Sequence, residues 1–136
     1  MTQPSRIRVT QLHYSRSRRM LEMGFEDGAS YHLSAEFLRV FSPSAEVRGH
    51  GPGQETLQTG KSSVSISALN PVGHYAVQIT FDDGHDSGLY SWQYLRELAE
   101  EQDRYWQQYL RQLSAEGKSR DPEVQVLHFD PDARPS

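Results

Sequence analysis

No cysteine occurs in this 136-residue chain. That absence removes disulfides, thiolate zinc sites, thiol catalysis and direct cysteine ligation of an iron–sulfur cluster. Any metal would have to be held by His, Asp or Glu. The chain also lacks a run near the ~20 apolar residues that a membrane span needs, and its amino terminus lacks the apolar core of a signal peptide, so a cytoplasmic protein with no membrane partner is expected. Cations are few and dispersed. Net charge is −4, pI is near 5.8, and the fourteen Lys and Arg residues cluster only at Arg16, Arg18 and Arg19. Without a basic stripe to meet phosphates, nucleic acid is not an expected partner.

The length suits one domain with a modest core. Residues 1–6 read as a disordered amino terminus, 7–114 as the domain and 115–136 as a flexible, polar tail with one apolar island at residues 124–129. Alternation through Ile7, Val9 and Gln11, and again over residues 20–25, predicts two strands; Asp27-Gly28 predicts a hairpin turn leading to a third strand over residues 29–33. Ser34 is a helix cap, Glu36 suits the first helical turn, Phe37, Leu38 and Phe41 form a buried side, and Pro43 ends the helix. Residues 42–61 have no period and read as a long loop.

Residues 64–67 and 76–81 predict a second hairpin turning at Asn70-Pro71-Val72-Gly73. After Ser91, the spacing of Trp92, Leu95, Leu98, Ala99, Trp106, Tyr109 and Leu113 predicts one helix of about five or six turns, stopped by Gly117. The expected fold class is α+β: a small, mainly antiparallel sheet from two hairpins, with a short helix and a long C-terminal helix packed on it.

Chemistry concentrates in Asp82-Asp83-Gly84-His85-Asp86-Ser87-Gly88, where the alternating strand at 76–81 runs into a charged turn. Several motifs fail there and elsewhere. Gly60-Lys61-Ser62 lacks the glycine five positions earlier, where Glu55 stands, and the helix that a phosphate loop requires. The aspartates of residues 82–86 lack the alternation and closing Glu of a calcium loop. His128-Phe129-Asp130 has no later histidine to complete an iron facial triad. Ser87, His85 and Asp83 are neighbours in one turn and do not predict a converging catalytic relay.

What remains is His85, with His50, His74, Glu46, Asp82, Asp83 and Asp86 as possible companions. Turns favour Asp, Gly and Ser for backbone geometry alone, so His85 either tightens the turn or serves as a ligand or titrating recognition group. The candidate binding residues are His85, Asp83, Asp86, Tyr90 and Trp92, with His85 the one candidate metal ligand.

The run Phe81-Asp82-Asp83-Gly84-His85-Asp86-Ser87-Gly88-Leu89-Tyr90-Ser91-Trp92, with Pro71-Val72-Gly73-His74-Tyr75-Ala76-Val77 and the earlier stretch over residues 38–47, resembles the DUF971 family, the gamma-butyrobetaine hydroxylase-like N-terminal domains. The resemblance covers roughly residues 12–98. It implies a small zinc-binding unit with three cysteines spaced C-x-C-x-x-C and one later histidine. Those positions fall on Ser42, Ser44, Val47 and His85 here, so the resemblance also implies loss of the zinc site. The oxygenases that carry such a module bind iron and 2-oxoglutarate in a separate domain, and other relatives append it to iron–sulfur carrier ATPases. The function thereby implied is a non-catalytic binding or adaptor module, without a cofactor of its own, for an iron–sulfur assembly factor or an oxygenase-type protein. A metal-binding protein built on His85, or a small acid–base enzyme using His85 with Asp83 or Asp86, are the alternatives.

Overall fold

A computed structural model describes residues 8–49, 51 and 53–122. The expected frayed start at residues 1–6, His50 and the apolar island at 124–129 lie outside the described residues.

The chain is α+β. Strands β1 (Val9–Ser15), β2 (Met20–Phe25) and β3 (Ser30–Ser34) form one antiparallel sheet, and β4 (Ile66–Val72), β5 (Ala76–Phe81) and β6 (Gly88–Ser91) form another. Two three-stranded sheets thus replace the single sheet expected from two hairpins, and they meet through side chains. Tyr14 Oη lies 2.8 Å from Ser65 Oγ and accepts from Ile66 N at 3.1 Å.

Local chemistry explains most elements. Gly28, at φ 90°, closes the β2–β3 hairpin, a left-handed conformation that glycine adopts without a Cβ penalty. Leu21, Met23 and Phe25 on alternate β2 positions, and Val77, Ile79 and Phe81 on β5, are all buried in one core with Leu33, Phe37, Leu38, Leu95 and Leu98. Each such side chain contributes ~1.5–3 kcal/mol when fully buried.

Ser34 Oγ accepts from Phe37 N at 3.0 Å and caps α1 (Ala35–Val40); Ser91 Oγ accepts from Tyr94 N at 3.1 Å and caps α3 (Trp92–Glu100).

Five expectations change. Asn70, Pro71 and Val72 belong to β4, and the turn sits at Gly73, φ 58°; β4 is an edge strand, where a proline costs no internal ladder bond. The chain after the charged turn makes strand β6 before entering the helix. The single long helix is two, α3 and α4 (Gln102–Ala115), separated at Glu101, whose φ of −108° leaves the helical range. Inside the predicted loop at 42–61, Ser44 Oγ accepts from Glu46 N at 3.1 Å and starts the one-turn helix α2 (Ala45–Arg48). Finally, the first residues of the expected tail return to the domain. Ser62 N donates to Arg120 O at 3.0 Å, and the Arg120 guanidinium makes two 2.7 Å bonds to the buried Glu36 carboxylate.

Candidate functional site

The β5–β6 turn is shaped by its own backbone. Phe81 N donates to His85 O at 2.9 Å, Gly84 N to Phe81 O at 3.0 Å, and His85 N to Asp83 Oδ1 at 3.1 Å. This closure swings the His85 ring inward, against the residues between α1 and α2, and leaves it 6% exposed.

Both ring nitrogens are engaged. His85 Nε2 lies 2.9 Å from Ser42 Oγ and Nδ1 lies 3.0 Å from Glu46 Oε1. Ser42 Oγ also accepts from Ser44 N at 3.2 Å, and Ser44 Oγ lies 2.6 Å from Ser87 Oγ. One proton arrangement satisfies the chain of bonds: Ser42 O–H donates to Nε2, and Nδ1–H donates to the Glu46 carboxylate. Burial, then the nearby Arg39 charge, lowers the His85 pKa, against the opposing pull of Glu46 and Asp83. The ring is therefore neutral at pH 7, in keeping with the donor and acceptor roles assigned to it.

Asp83 anchors the same corner from outside. Its Oδ2 receives Arg39 Nε at 2.9 Å and Lys61 Nζ at 2.6 Å, while Arg39 NH1 reaches Gln58 Oε1 at 2.9 Å. Desolvation raises the Asp83 pKa, but the bonds from Lys61, the His85 N–H and Arg39 outweigh it and hold the carboxyl at about 2. Tyr90 is wholly buried, with its hydroxyl donating to Leu38 O at 2.5 Å, and burial raises its pKa. Trp92 is half-buried, its indole N–H donating to His74 O at 2.8 Å. Asp86 is exposed, and its carbonyl accepts from Gln78.

The structure thus brings together His85, Asp83, Ser42, Ser44, Val47 and Glu46, and leaves Asp86, Tyr90 and Trp92 in other roles. Sequence reasoning missed Arg39 and Lys61, which hold Asp83 across 44 and 22 residues, and Gln58, which holds Arg39; no local spacing signals such contacts.

Two chemistries can be tested on this geometry. Zinc in the manner implied by the resemblance does not fit: Val47 offers no donor, the Ser42 and Ser44 hydroxyls are poor zinc ligands occupied by hydrogen bonds, and both imidazole nitrogens are taken. Among the described residues, no three His, Asp or Glu side chains gather as a metal-holding group. The Ser42–His85–Glu46 chain does have the order of contacts of a nucleophile, base and orienting carboxylate. Ser42, however, is 1% exposed. A Cβ built on Gly88 would stand 2.6 Å from Ser42 Oγ, so the glycine backbone is packed over the hydroxyl. A sealed hydroxyl cannot meet a substrate, and the constellation acts as a latch between the α1–α2 segment and the β5–β6 turn.

An open cleft of about 1180 Å³ lies on the other side of that segment. Ser42 and Val47 contribute to one wall, the half-buried Phe41, Tyr94 and Tyr105 give aromatic surface with the buried Tyr109 behind them, and Arg48, Glu97, Gln108 and Gln112 are polar. The walls are tied together: Tyr94 Oη donates to Phe41 O at 2.6 Å, Tyr109 Oη donates to Gln58 O at 2.7 Å, and Arg48 stacks 4.8 Å from the Tyr94 ring centre. Burial pushes the Tyr109 hydroxyl up to about 12.

The sequence pattern of the gamma-butyrobetaine hydroxylase-like N-terminal domain matches residues 12–96. Two proteins solved in solution by NMR are similar to this chain. One is 47% identical with a TM-score of 0.74, over 85% of this chain and 90% of the other. The second is 50% identical with a TM-score of 0.76, over 90% and 92%. A crystal structure of a protein of unknown function from Acidithiobacillus ferrooxidans, assigned to the DUF971 family, is 36% identical with a TM-score of 0.58, over 71% of this chain and 97% of that one. No functionally curated protein matches the chain. The chain belongs to the DUF971 family, the gamma-butyrobetaine hydroxylase-like N-terminal domains.

Proposed function

We propose that this protein is a non-catalytic binding or adaptor module whose partner seat is the aromatic cleft between the α1–α2 segment and α3–α4. The observation that carries this reading is the inward engagement of the groups that could have done chemistry. His85, Ser42 and Asp83 are spent on each other and on neighbouring side chains, whereas the cleft presents aromatic and polar groups in an open concavity. His85 is then a positioning residue: through Ser42 and Glu46 it fixes the segment that forms one cleft wall.

Aromatic side chains with polar rims are the composition that protein interfaces favour. The partner is a protein of the kind the family resemblance implies, an iron–sulfur assembly factor or an oxygenase-type protein, met in the cytoplasm. No described helix is long and apolar enough to cross a membrane.

Site-specific photocrosslinking tests this. A benzophenone side chain placed at Gln112, in the cleft, should give one discrete protein adduct in cells. The same group at the exposed Thr10 on β1 should not. Equal labelling from both positions, or none from Gln112, removes the cleft from the account.

A further inference from the structure

We propose that the β1–β2 turn, Arg16-Ser17-Arg18-Arg19, is a second docking site and takes a short acidic segment of a partner protein. The site stands on charge and backbone geometry alone, independently of the cleft.

The turn is held in shape from both sides. Ser15 and Met20 are the last paired residues of β1 and β2, and the four residues between them are all exposed. Arg19 is the one non-glycine at positive φ among the described residues, at 52°, a left-handed conformation that L side chains rarely adopt. Its carbonyl accepts from Ala35 N at 3.0 Å, which ties the turn to the start of α1, and Arg18 N reaches Ser15 Oγ at 3.4 Å. With the backbone fixed in this way, a ligand that meets the arginines has less freedom to remove.

The arginines are unspent. Carboxylates outnumber Lys and Arg in this chain, eighteen to fourteen, and Arg39, Arg96, Arg104 and Arg120 are each held by at least one of them. At the turn only Arg18 has such a partner, Glu22 at 3.3 Å, and its side chain stays 60% exposed. Arg16 and Arg19 make no ion pair among the described residues. Like charges in one turn repel one another, and free guanidinium forks match carboxylates in pairs. Strand register sets His13, Glu22 and His32 side by side on the sheet below, with both imidazoles exposed, so further N–H donors flank the one carboxylate of that row.

The rest of the molecule selects the partner. Net charge is −4 with the three arginines counted, so everything outside the turn is more acidic still. Screening confines the attraction of the turn to ~8 Å at physiological ionic strength. Nucleic acid or an anionic bilayer would set many more charges against the acidic remainder, whereas a few consecutive Asp or Glu residues meet the arginines alone.

A glutamate octapeptide added to the ¹⁵N-enriched full chain tests this. Amides of residues 15–20 should shift, and those of Arg48 and Tyr105 in the cleft should not. Replacing all three arginines together, Arg16→Gln, Arg18→Gln and Arg19→Gln, should weaken binding about tenfold, and the matching Lys variant should lose less. Absent shifts at the turn, shifts centred elsewhere, or equal binding by the folded Gln variant overturns the proposal. So does tighter binding of a thymidine octanucleotide or of phosphatidylserine vesicles through the same amides, because the occupant is then not an acidic protein segment. None of these results alters the Gln112 adduct expected of the cleft, so the two surfaces fail separately.

Discussion

Ser42 Oγ and His85 Nε2 meet at 2.9 Å across 43 residues of sequence, in a corner where both side chains are buried. His85→Ala leaves the Ser42 hydroxyl without its acceptor and opens a void beside Phe81. An orphaned buried polar group costs ~1–3 kcal/mol, so the variant should lose about 3 kcal/mol with the lost packing included. Trp92→Ala should lose less, about 2 kcal/mol, because the half-buried indole forfeits only part of the 3–5 kcal/mol of a core tryptophan. Urea unfolding of both variants gives the order. It reverses what the turn and helix register suggest from sequence, where Trp92 looks like the core residue.

Acid should weaken the domain in two separate windows. His85 has a folded pKa below its ordinary 6.5, so the unfolded chain takes up this proton first. Its contribution is therefore complete above pH 6.5 and declines as pH falls below it. Asp83 behaves likewise further down, between 3.8 and about 2, with solvent screening of this partly exposed pair keeping its contribution small. Urea midpoints should drop from pH 7.5 to 5.5, and the His85→Gln variant should show a shallower drop than the native chain.

The Arg120–Glu36 pair predicts where truncation matters. Ending the chain after Gly117 strips the guanidinium from a carboxylate that is 8% exposed, and an unpaired buried charge is strongly destabilising. That truncation should cost about 2 kcal/mol, and a chain ending at Pro122 should cost under ~0.5 kcal/mol, the usual range for changes away from packed features. Thermal melts of the two lengths distinguish this from a tail that is dispensable from residue 118 onward.

Gly88→Ala should disturb the latch while leaving each of its hydrogen-bonding residues in the sequence. The new methyl would lie 2.6 Å from Ser42 Oγ, and forcing extra volume into such a site costs ~1–3 kcal/mol. Lower stability together with a shifted His85 ring resonance is the expected pair of readouts.

Much of this fold is legible because the causes are local. Ser34 and Ser91 announce helices by having an oxygen where unpaired N–H groups need one, and Asp27-Gly28 announces a hairpin by tolerating its backbone angles. Residues 21–25 and 77–81 alternate because each strand has one buried face. The failures are non-local. Glu101 breaks the long helix without glycine or proline, and Pro71 looks like a turn until β4 is known to be an edge strand. The partners of Asp83 are set by how α1 and the 58–61 loop pack on the β5–β6 turn. Ser42, Ser44, Val47 and His85 could be associated in advance only by family resemblance. That Ser42, Ser44 and His85 are joined by hydrogen bonds becomes visible when Glu46 and Ser87 are seen to complete the contacts. The helical spacing that reads Tyr109 and Leu113 as core holds, since both are buried with Val40; what spacing does not reveal is that their half-buried neighbours Tyr94 and Tyr105 border open space.

The central claim is that the His85 corner is a neutral, hydrogen-bonded latch which leaves recognition to the cleft. A long-range ¹H–¹⁵N spectrum of the His85 ring at pH 7, recorded before and after one equivalent of zinc, tests it most directly. The account predicts a neutral ring with the proton on Nδ1, Nε2 acting as acceptor, and no change on adding zinc. A proton on Nε2, a doubly protonated ring, or a zinc-dependent shift of either nitrogen would contradict it.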